Sequence, residues 1–309
     1  MKADLVFSGC GICGIAFIGA MRALEEQKYQ IARCAGVSSG AFFASLIAAG
    51  FSSDELFDIC RTTEFKTFKH KTSLGKIPVI GDGLSLISNL GIYDADYLEN
   101  WLNKLFSKKN KTHFNNLMGK DGYKLKVIAA DITKREMLII PDNLPSYGIN
   151  PKNFETARAV KYSINLPYFY SKQKLYYNNN KNYSQIVDGG ILSIFPIWIF
   201  DVKSTPRWPT FGFKVGSEKP NNNNNNNNEH DLYNYTVNIV ETMINSSEEI
   251  YVRDKDKVRT ISINNFGLKG TDYEISKDMF DKLIDEGYTK TKEFLNSWNF
   301  DRYVSEYRR

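Results

Sequence analysis

Gly36-Val37-Ser38-Ser39-Gly40 lies between two stretches of different character, and its reading decides the fold. Before it, Gln30 to Ala35 (Gln-Ile-Ala-Arg-Cys-Ala) predicts a short strand. After it, Ala41 to Ala49, all small or apolar, predicts a helix. A serine at a strand-to-helix turn, with a glycine two residues away on each side, is the pattern of a nucleophile elbow. Such a turn is tight and strained, so bulkier neighbours would clash. The serine Oγ is left exposed at a helix N-terminus, where the positive dipole end favours an alkoxide-like state. Alone, Gly-x-Ser-x-Gly fits a plain structural turn equally well, and the motifs around it must choose.

A chain of 309 residues with 42% hydrophobic content can bury a sizeable core, as one large domain or two small ones. Forty basic against thirty-five acidic residues is a mild excess. It permits attraction to an anionic surface and gives no argument for nucleic acid. The longest apolar run, Ile191 to Phe200, is broken by Pro196 and falls short of the ~20 residues that span a bilayer. Met1-Lys2-Ala3-Asp4 leads straight into a strand pattern with no signal-peptide core, so a cytoplasmic protein, peripheral at membranes, is expected. Cys10, Cys13, Cys34 and Cys60 are too few for a disulfide scaffold and read as reduced, mostly buried thiols.

Strand patterns recur at Asp4–Ser8, Lys124–Asp131, Glu136–Ile140, Ser184–Asp188, Pro209–Val215 and Val258–Ile263. Helical patterns fall between them. Phe17, Met21 and Leu24 mark one face of the first, and Ser52 with Glu55 stands at capping-box spacing before the second. Asp94–Phe106, Phe154–Ser163, Asp231–Ile244 and a C-terminal segment, 275–298, supply more. The alternation predicts an α/β fold, a three-layer sandwich with a central, largely parallel sheet, spanning 1–309 as a single domain. Two segments break the pattern. Asn221 to Asn228 is polyasparagine, expected as a disordered loop. Arg61 to Leu90 interleaves Lys66, Lys69, Lys71 and Lys76 with Phe65, Phe68 and Ile77. It reads as an ordinary mixed loop or as a basic, apolar flap that touches a lipid surface.

Gly9-Cys10-Gly11-Ile12-Cys13-Gly14 follows the first strand and opens a helix. As Gly-x-Gly-x-x-Gly it suits a dinucleotide pyrophosphate, but that reading wants an acidic residue ending the second strand. Glu25 and Glu26 sit in the first helix instead, and the second strand ends at Ala35-Gly36. As Cys10-Gly-Ile-Cys13 it suits a redox dithiol, which nothing else in the chain supports. A zinc site from the four cysteines has unsuitable spacing. The third reading is an oxyanion hole, in which loop glycines bring backbone N–H groups to a tetrahedral intermediate. It requires the loop to lie beside the elbow, as adjacent parallel strands would arrange. Farther on, Asp188-Gly189-Gly190 ends a strand. Alone it reads as a turn, and with the other motifs Asp188 becomes the natural base for Ser38.

Ser8 to Gly14, then Gly36 to Gly40, then Asp188-Gly189-Gly190 together resemble the patatin-like phospholipase family. Ala157 to Phe169 resembles that family's segment before the aspartate, and Phe195-Pro196-Ile197 the one after it. The likeness covers a motif-bearing core of about 4–197. It implies a lipid acyl hydrolase working through a Ser–Asp dyad, with Ser38 as nucleophile and Asp188 as base. It places the oxyanion hole at Gly9, Cys10, Gly11, Ile12 and Gly14, with backbone donors at Gly11 and Ile12. Neither metal nor organic cofactor is implied, and the partner is a phospholipid or other acyl lipid. Two departures stand out: the family usually has glycine at Cys10 and Lys or Arg at Cys13. Cysteine at position 10 is expected to resist a backbone angle that glycine would allow.

Two other functions fit the same residues. One is a small-ester serine esterase with a Ser–His–Asp triad, for which His70, His113 and His230 are the only histidines. The other is a non-catalytic lipid-binding protein on the same fold.

Overall fold

The structure, a computed structural model, describes residues 1–68, 91–216, 242, 253–270, 272 and 274–307. The chain begins with β1 (Lys2–Phe7), α1 (Ala16–Glu26), β2 (Gln30–Val37), α2 (Ser39–Ala48) and α3 (Ser53–Thr62). Beyond residue 90 come β3 (Gly91–Tyr93), α4 (Asp96–Lys108), β4 (Met118–Gly119), β5 (Gly122–Tyr123), β6 (Leu125–Asp131), β7 (Glu136–Ile140) and α5 (Thr156–Ile164). Then follow β8 (Tyr168–Tyr170), β9 (Gln173–Tyr177), β10 (Asn182–Asp188) and β11 (Thr210–Gly216). The last elements are α6 (Asp254–Lys257), β12 (Thr260–Asn264), α7 (Lys277–Ser297) and α8 (Phe300–Tyr307).

Eight of the described strands form one sheet in the order β12-β11-β1-β2-β6-β10-β9, with β7 also on β6. The run from β12 to β6 is parallel throughout, whereas β7, β9 and β10 pair antiparallel. The expected α/β fold with a largely parallel sheet is therefore present. Strand alternation sends Ala3, Leu5 and Phe7 of β1 into the larger core with α1, α2 and α7, while Val6 faces the opposite side. That second side is covered by the turns of 189–200, through Ile194, Ile199 and Phe200. β9 lacks the strand signal because Leu175 alone of its five residues is buried, as suits a sheet edge.

Individual helices begin where local chemistry directs. Ser52 and Glu55 form the expected capping box at α3, the Ser52 hydroxyl accepting from Glu55 N–H at 3.2 Å. Phe65, in the 61–90 stretch read as a mixed loop or a basic, apolar flap, packs partly buried against the main core. The remainder of that flap, 69–90, lies outside the described residues. So do the polyasparagine run, the expected helix of 231–244 apart from Thr242, His70 and His230. Among the described residues no helix is long and apolar enough to cross a membrane.

The site is placed by an exchange of partners on one strand. On the edge of β6 opposite β7, residues Leu125 to Ile128 pair with β2, and Ala129 to Asp131 pair with β10. Val37 stands opposite Ile128, and Asp188 stands opposite the next residue, Ala129. The last residue of β10 and the residue that follows β2 thus meet at one point on β6. The two chain segments are far apart in sequence and arrive there from opposite directions.

Candidate active site

Val37 ends β2 and Ser39 begins α2, so Ser38 alone makes the turn, with φ 54° and ψ −129°. A positive φ on a non-glycine residue costs on the order of 1–3 kcal/mol and persists only where the surroundings over-determine it. Here the surroundings are glycine contacts. A Cβ on Gly36 would stand 2.3 Å from the Gly40 carbonyl, and one on Gly40 would stand 2.3 Å from the Phe7 carbonyl. The turn folds back on itself and against the end of β1. Ser38 remains half-buried at the N-terminus of α2.

The Ser38 main chain is tied down by a residue whose role no sequence motif reveals. Its N–H donates to Ser163 Oγ at 2.9 Å, and Ser163 Oγ donates in turn to the Ile128 carbonyl at 2.6 Å. Ser163 is wholly buried near the end of α5. Two residues on, the Asn165 carbonyl accepts from Asp188 N–H at 2.8 Å, and Asn165 Nδ2 donates to the Ile186 carbonyl at 2.7 Å. The end of one helix therefore holds the main chains of both Ser38 and Asp188. Ser163 and Asn165 lie in the 157–169 stretch that resembles the family, but nothing in that stretch alone says what they hold.

Asp188 is 2% exposed. Its Oδ1 accepts from Gly190 N–H at 2.7 Å, and the nearby Ser38 hydroxyl also favours its ionised form. Burial pushes its pKa from 3.8 up to about 6, while those two groups hold it down. Gly189 and Gly190, both buried, carry the chain away in a 3-10 turn. The structure thus brings Ser38 and Asp188 side by side at the edge of β6, with burial holding the carboxyl above its ordinary range.

The glycine loop lies beside the elbow, because β1 and β2 are adjacent and parallel. A Cβ on Gly9 would stand 3.1 Å from Ser38 Cβ. Most amides of the loop are nevertheless committed elsewhere. Gly9 N–H donates to the Ile194 carbonyl at 3.0 Å, Cys10 N–H to Ser39 Oγ at 3.0 Å, and Ile12 N–H to the Gly270 carbonyl at 2.9 Å. Ile12, expected as an oxyanion donor, is therefore engaged, for the reason that a turn from the C-terminal third reaches it. Gly14 is buried against Phe43. Gly11 N–H and Ser39 N–H carry no partner among the described residues; Ser39 lies in the elbow, and Gly11 follows Cys10, whose N–H bonds Ser39.

The two cysteines behave differently from expectation in one respect. Cys10 has φ −158° and makes no demand for glycine; the positive φ of the loop, 56°, falls on Gly11. All four thiols are unbridged, and burial pushes Cys13 up to about 12. His113 meets Thr112 Oγ1 through its ring Nδ1, and its main-chain N–H donates to Asn116 Oδ1. Among the described residues no cluster of His, Cys, Asp and Glu comes together in a way that could hold a metal ion.

A strained serine on a buried aspartate, beside a glycine-rich loop, can be compared with known proteins. The patatin-like phospholipase family model matches residues 5–201, a span that includes the elbow, the glycine loop and Asp188. The chain belongs to the patatin-like phospholipase family. Its relatives within reach of sequence include the uncharacterized protein YqhO of Bacillus subtilis (strain 168), 32% identical over 97% of this chain and 100% of that one. A second is the probable lipid hydrolase 463L of Invertebrate iridescent virus 6, 27% identical over 62% of this chain and 61% of that one. Among solved structures, VipD from Legionella pneumophila superposes with a TM-score of 0.56 at 16% identity, over 96% of this chain and 67% of that one. ExoU, in its complex with SpcU from Pseudomonas aeruginosa, gives 0.53 at 14% identity, over 96% of this chain and 51% of that one. At those identities the two structures speak for the patatin-like fold alone.

Proposed function

We propose that this patatin-like protein is a serine acyl hydrolase that cleaves fatty-acyl ester bonds of phospholipids or related lipids. The observation that carries the reading is Ser38, held at a strained φ of 54° where β2 and β10 meet on β6, with the buried Asp188 carboxylate beside its hydroxyl. Ser38 Oγ attacks the ester carbonyl carbon and passes its proton to Asp188. The oxyanion forms toward the Gly11 and Ser39 amides, which have no other partner among the described residues. As the intermediate collapses, the C–O bond to the alcohol breaks and Asp188 returns the proton to the leaving oxygen. Water then attacks the acyl-Ser38 ester with Asp188 taking its proton, the fatty acid leaves, and Ser38 recovers its own.

A base with a pKa of about 6 is largely ionised at neutral pH and still accepts a proton in the transition state. Family membership and the lipid hydrolase among the relatives favour a lipid over a small soluble ester. Leu192, exposed and with its N–H on the Gly189 carbonyl, offers apolar surface close to Asp188 for an acyl chain. Mixed phospholipid vesicles incubated with wild type should yield free fatty acid and lysolipid by mass analysis. Ser38 should take up a fluorophosphonate probe, and Ser38→Ala should do neither. Hydrolysis that survives Ser38→Ala would sink the assignment, and a wild type inert to lipid, small ester and probe alike would leave a binding protein.

A further inference from the structure

The turn that follows β12 reaches back, from outside the motif-bearing region, onto the glycine loop. It is built by its own bonds. Phe266 N–H donates to Asn264 Oδ1 at 2.7 Å and Gly267 N–H to Asn265 Oδ1 at 3.1 Å. Asn265 Nδ2 donates to the Leu268 carbonyl at 2.9 Å, and Leu268 N–H to the Asn265 carbonyl at 3.1 Å. Phe266 and Leu268 pack partly buried against the main core, and Lys282 Nζ sits 3.9 Å from the Phe266 ring centroid. A turn held at so many points presents its carbonyls at fixed positions. One is Gly270 O, 2.9 Å from Ile12 N, and another is Leu268 O, 3.8 Å from Cys13 Sγ. The approach is so close that a Cβ on Gly11 would stand 2.0 Å from Gly270 O.

A loop rich in glycine has little intrinsic preference for one orientation of its peptide planes. An oxyanion hole needs one orientation, because a donor contributes only when it already points at the developing charge. The Gly270 carbonyl holds the Ile12 amide, and Ser39 Oγ and Ile194 O hold those of Cys10 and Gly9. Gly11, between the restrained neighbours, is left with its N–H open.

We propose that the 264–270 turn is a positioning element of the active site, which sets the glycine loop by taking the Ile12 amide and so aims the Gly11 N–H at the oxyanion. The inference rests on the hydrolase reading above. It assigns a function to residues beyond the family-matched span, in a part of the chain with no motif. It also makes Asn265 the residue through which the turn is made rigid.

The Gly270 carbonyl is main chain, so the test acts on Asn265 in the full-length protein. Asn265→Ala removes both side-chain bonds, and Asn265→Asp keeps the acceptor for Gly267 N–H. Four quantities are read: kcat, KM, the rate of Ser38 labelling by a fluorophosphonate, and native-state alkylation of Cys13 by iodoacetamide. In Asn265→Ala, kcat and probe labelling should fall on the order of 10- to 100-fold, the scale of a small misplacement at a reacting centre. KM and melting temperature should hold, Cys13 should alkylate roughly tenfold faster as its cover loosens, and Asn265→Asp should lie between. Should Asn265→Ala fail to fold, Gly270→Ala, whose Cβ would stand 3.1 Å from the Cys10 carbonyl, gives the same readouts. A variant with unchanged or raised kcat, or with Cys13 as slow as wild type, overturns the proposal while leaving the hydrolase reading intact. A wild type that neither cleaves esters nor takes the probe removes both.

Discussion

The two halves of the site are held in different ways. Ser38 and Asp188 are fixed from within the motif-bearing region, by Ser163 and Asn165 at the end of α5 and by the shared edge of β6. The glycine loop is fixed partly from outside it, since the Gly270 carbonyl beyond β12 takes the Ile12 amide while Ile194 and Ser39 take those of Gly9 and Cys10. The first arrangement is dense and buried, with Ser163 and Asp188 shielded from solvent. The second relies on a main-chain bond to a turn of partly exposed residues. On the function proposed above, nucleophile and base need a scaffold that does not move, whereas an oxyanion donor needs its own peptide plane held. Removing parts of each should therefore cost unequal amounts.

The largest loss should come from the reacting groups. Ser38→Ala and Asp188→Asn should each lower kcat by about 10⁴-fold or more, with folded circular dichroism spectra. A small loss for Asp188→Asn would detach the base from the dyad. Ser163→Ala tests the scaffold. It leaves the Ser38 N–H and the Ile128 carbonyl without their shared partner, and a displaced nucleophile should cost on the order of 100-fold in kcat at constant KM. Ser163→Thr, which keeps the hydroxyl, should restore part of that, and Ser163→Ala with full activity would show that β6 alone seats the elbow.

Burial of Asp188 gives two further outcomes of opposite sign. As the base, it must be ionised, so kcat/KM should fall about tenfold per pH unit below about 6. A flat profile down to pH 5 would point to another base. As a buried group whose folded pKa lies above the ordinary carboxylate value, it binds a proton more tightly folded than unfolded. Its ionised form therefore costs stability, which is lost as pH rises from the unfolded value through about 6. Asp188→Asn should raise the melting temperature at pH 8, for a gain in stability of order 3 kcal/mol at most, since one pKa unit is worth about 1.4 kcal/mol. No gain, or a gain equal at pH 4, would show that lost hydrogen bonds outweigh the charge. The smallest effect belongs to histidine: His113→Ala, His70→Ala and His230→Ala should each leave kcat within about twofold. A thousandfold loss in any one would replace the dyad by a triad.

Much of this is legible in the residues themselves. The elbow is a local object: Gly36 and Gly40 are needed within four residues of each other, so a short pattern suffices to see it. The parallel strands announce themselves by apolar runs because both faces of the sheet are covered. β9 does not, because one buried residue leaves no pattern to read. Composition leaves the 61–90 stretch open between loop and flap, and the partial burial of Phe65 against the core is a tertiary contact that composition does not carry.

Fold class, the strained serine and the order of the motifs are settled by the order of residues alone, because each depends on neighbours a few positions apart. The meeting of Ser38 with Asp188 required the folded molecule. It depends on β6 exchanging one partner for another between Ile128 and Ala129, a register no local pattern encodes. Folding also selects which amides of the glycine loop stay open, since a backbone N–H looks the same in any sequence. Its partner, here the carbonyl of Gly270, is chosen by whatever chain the folded molecule lays against it.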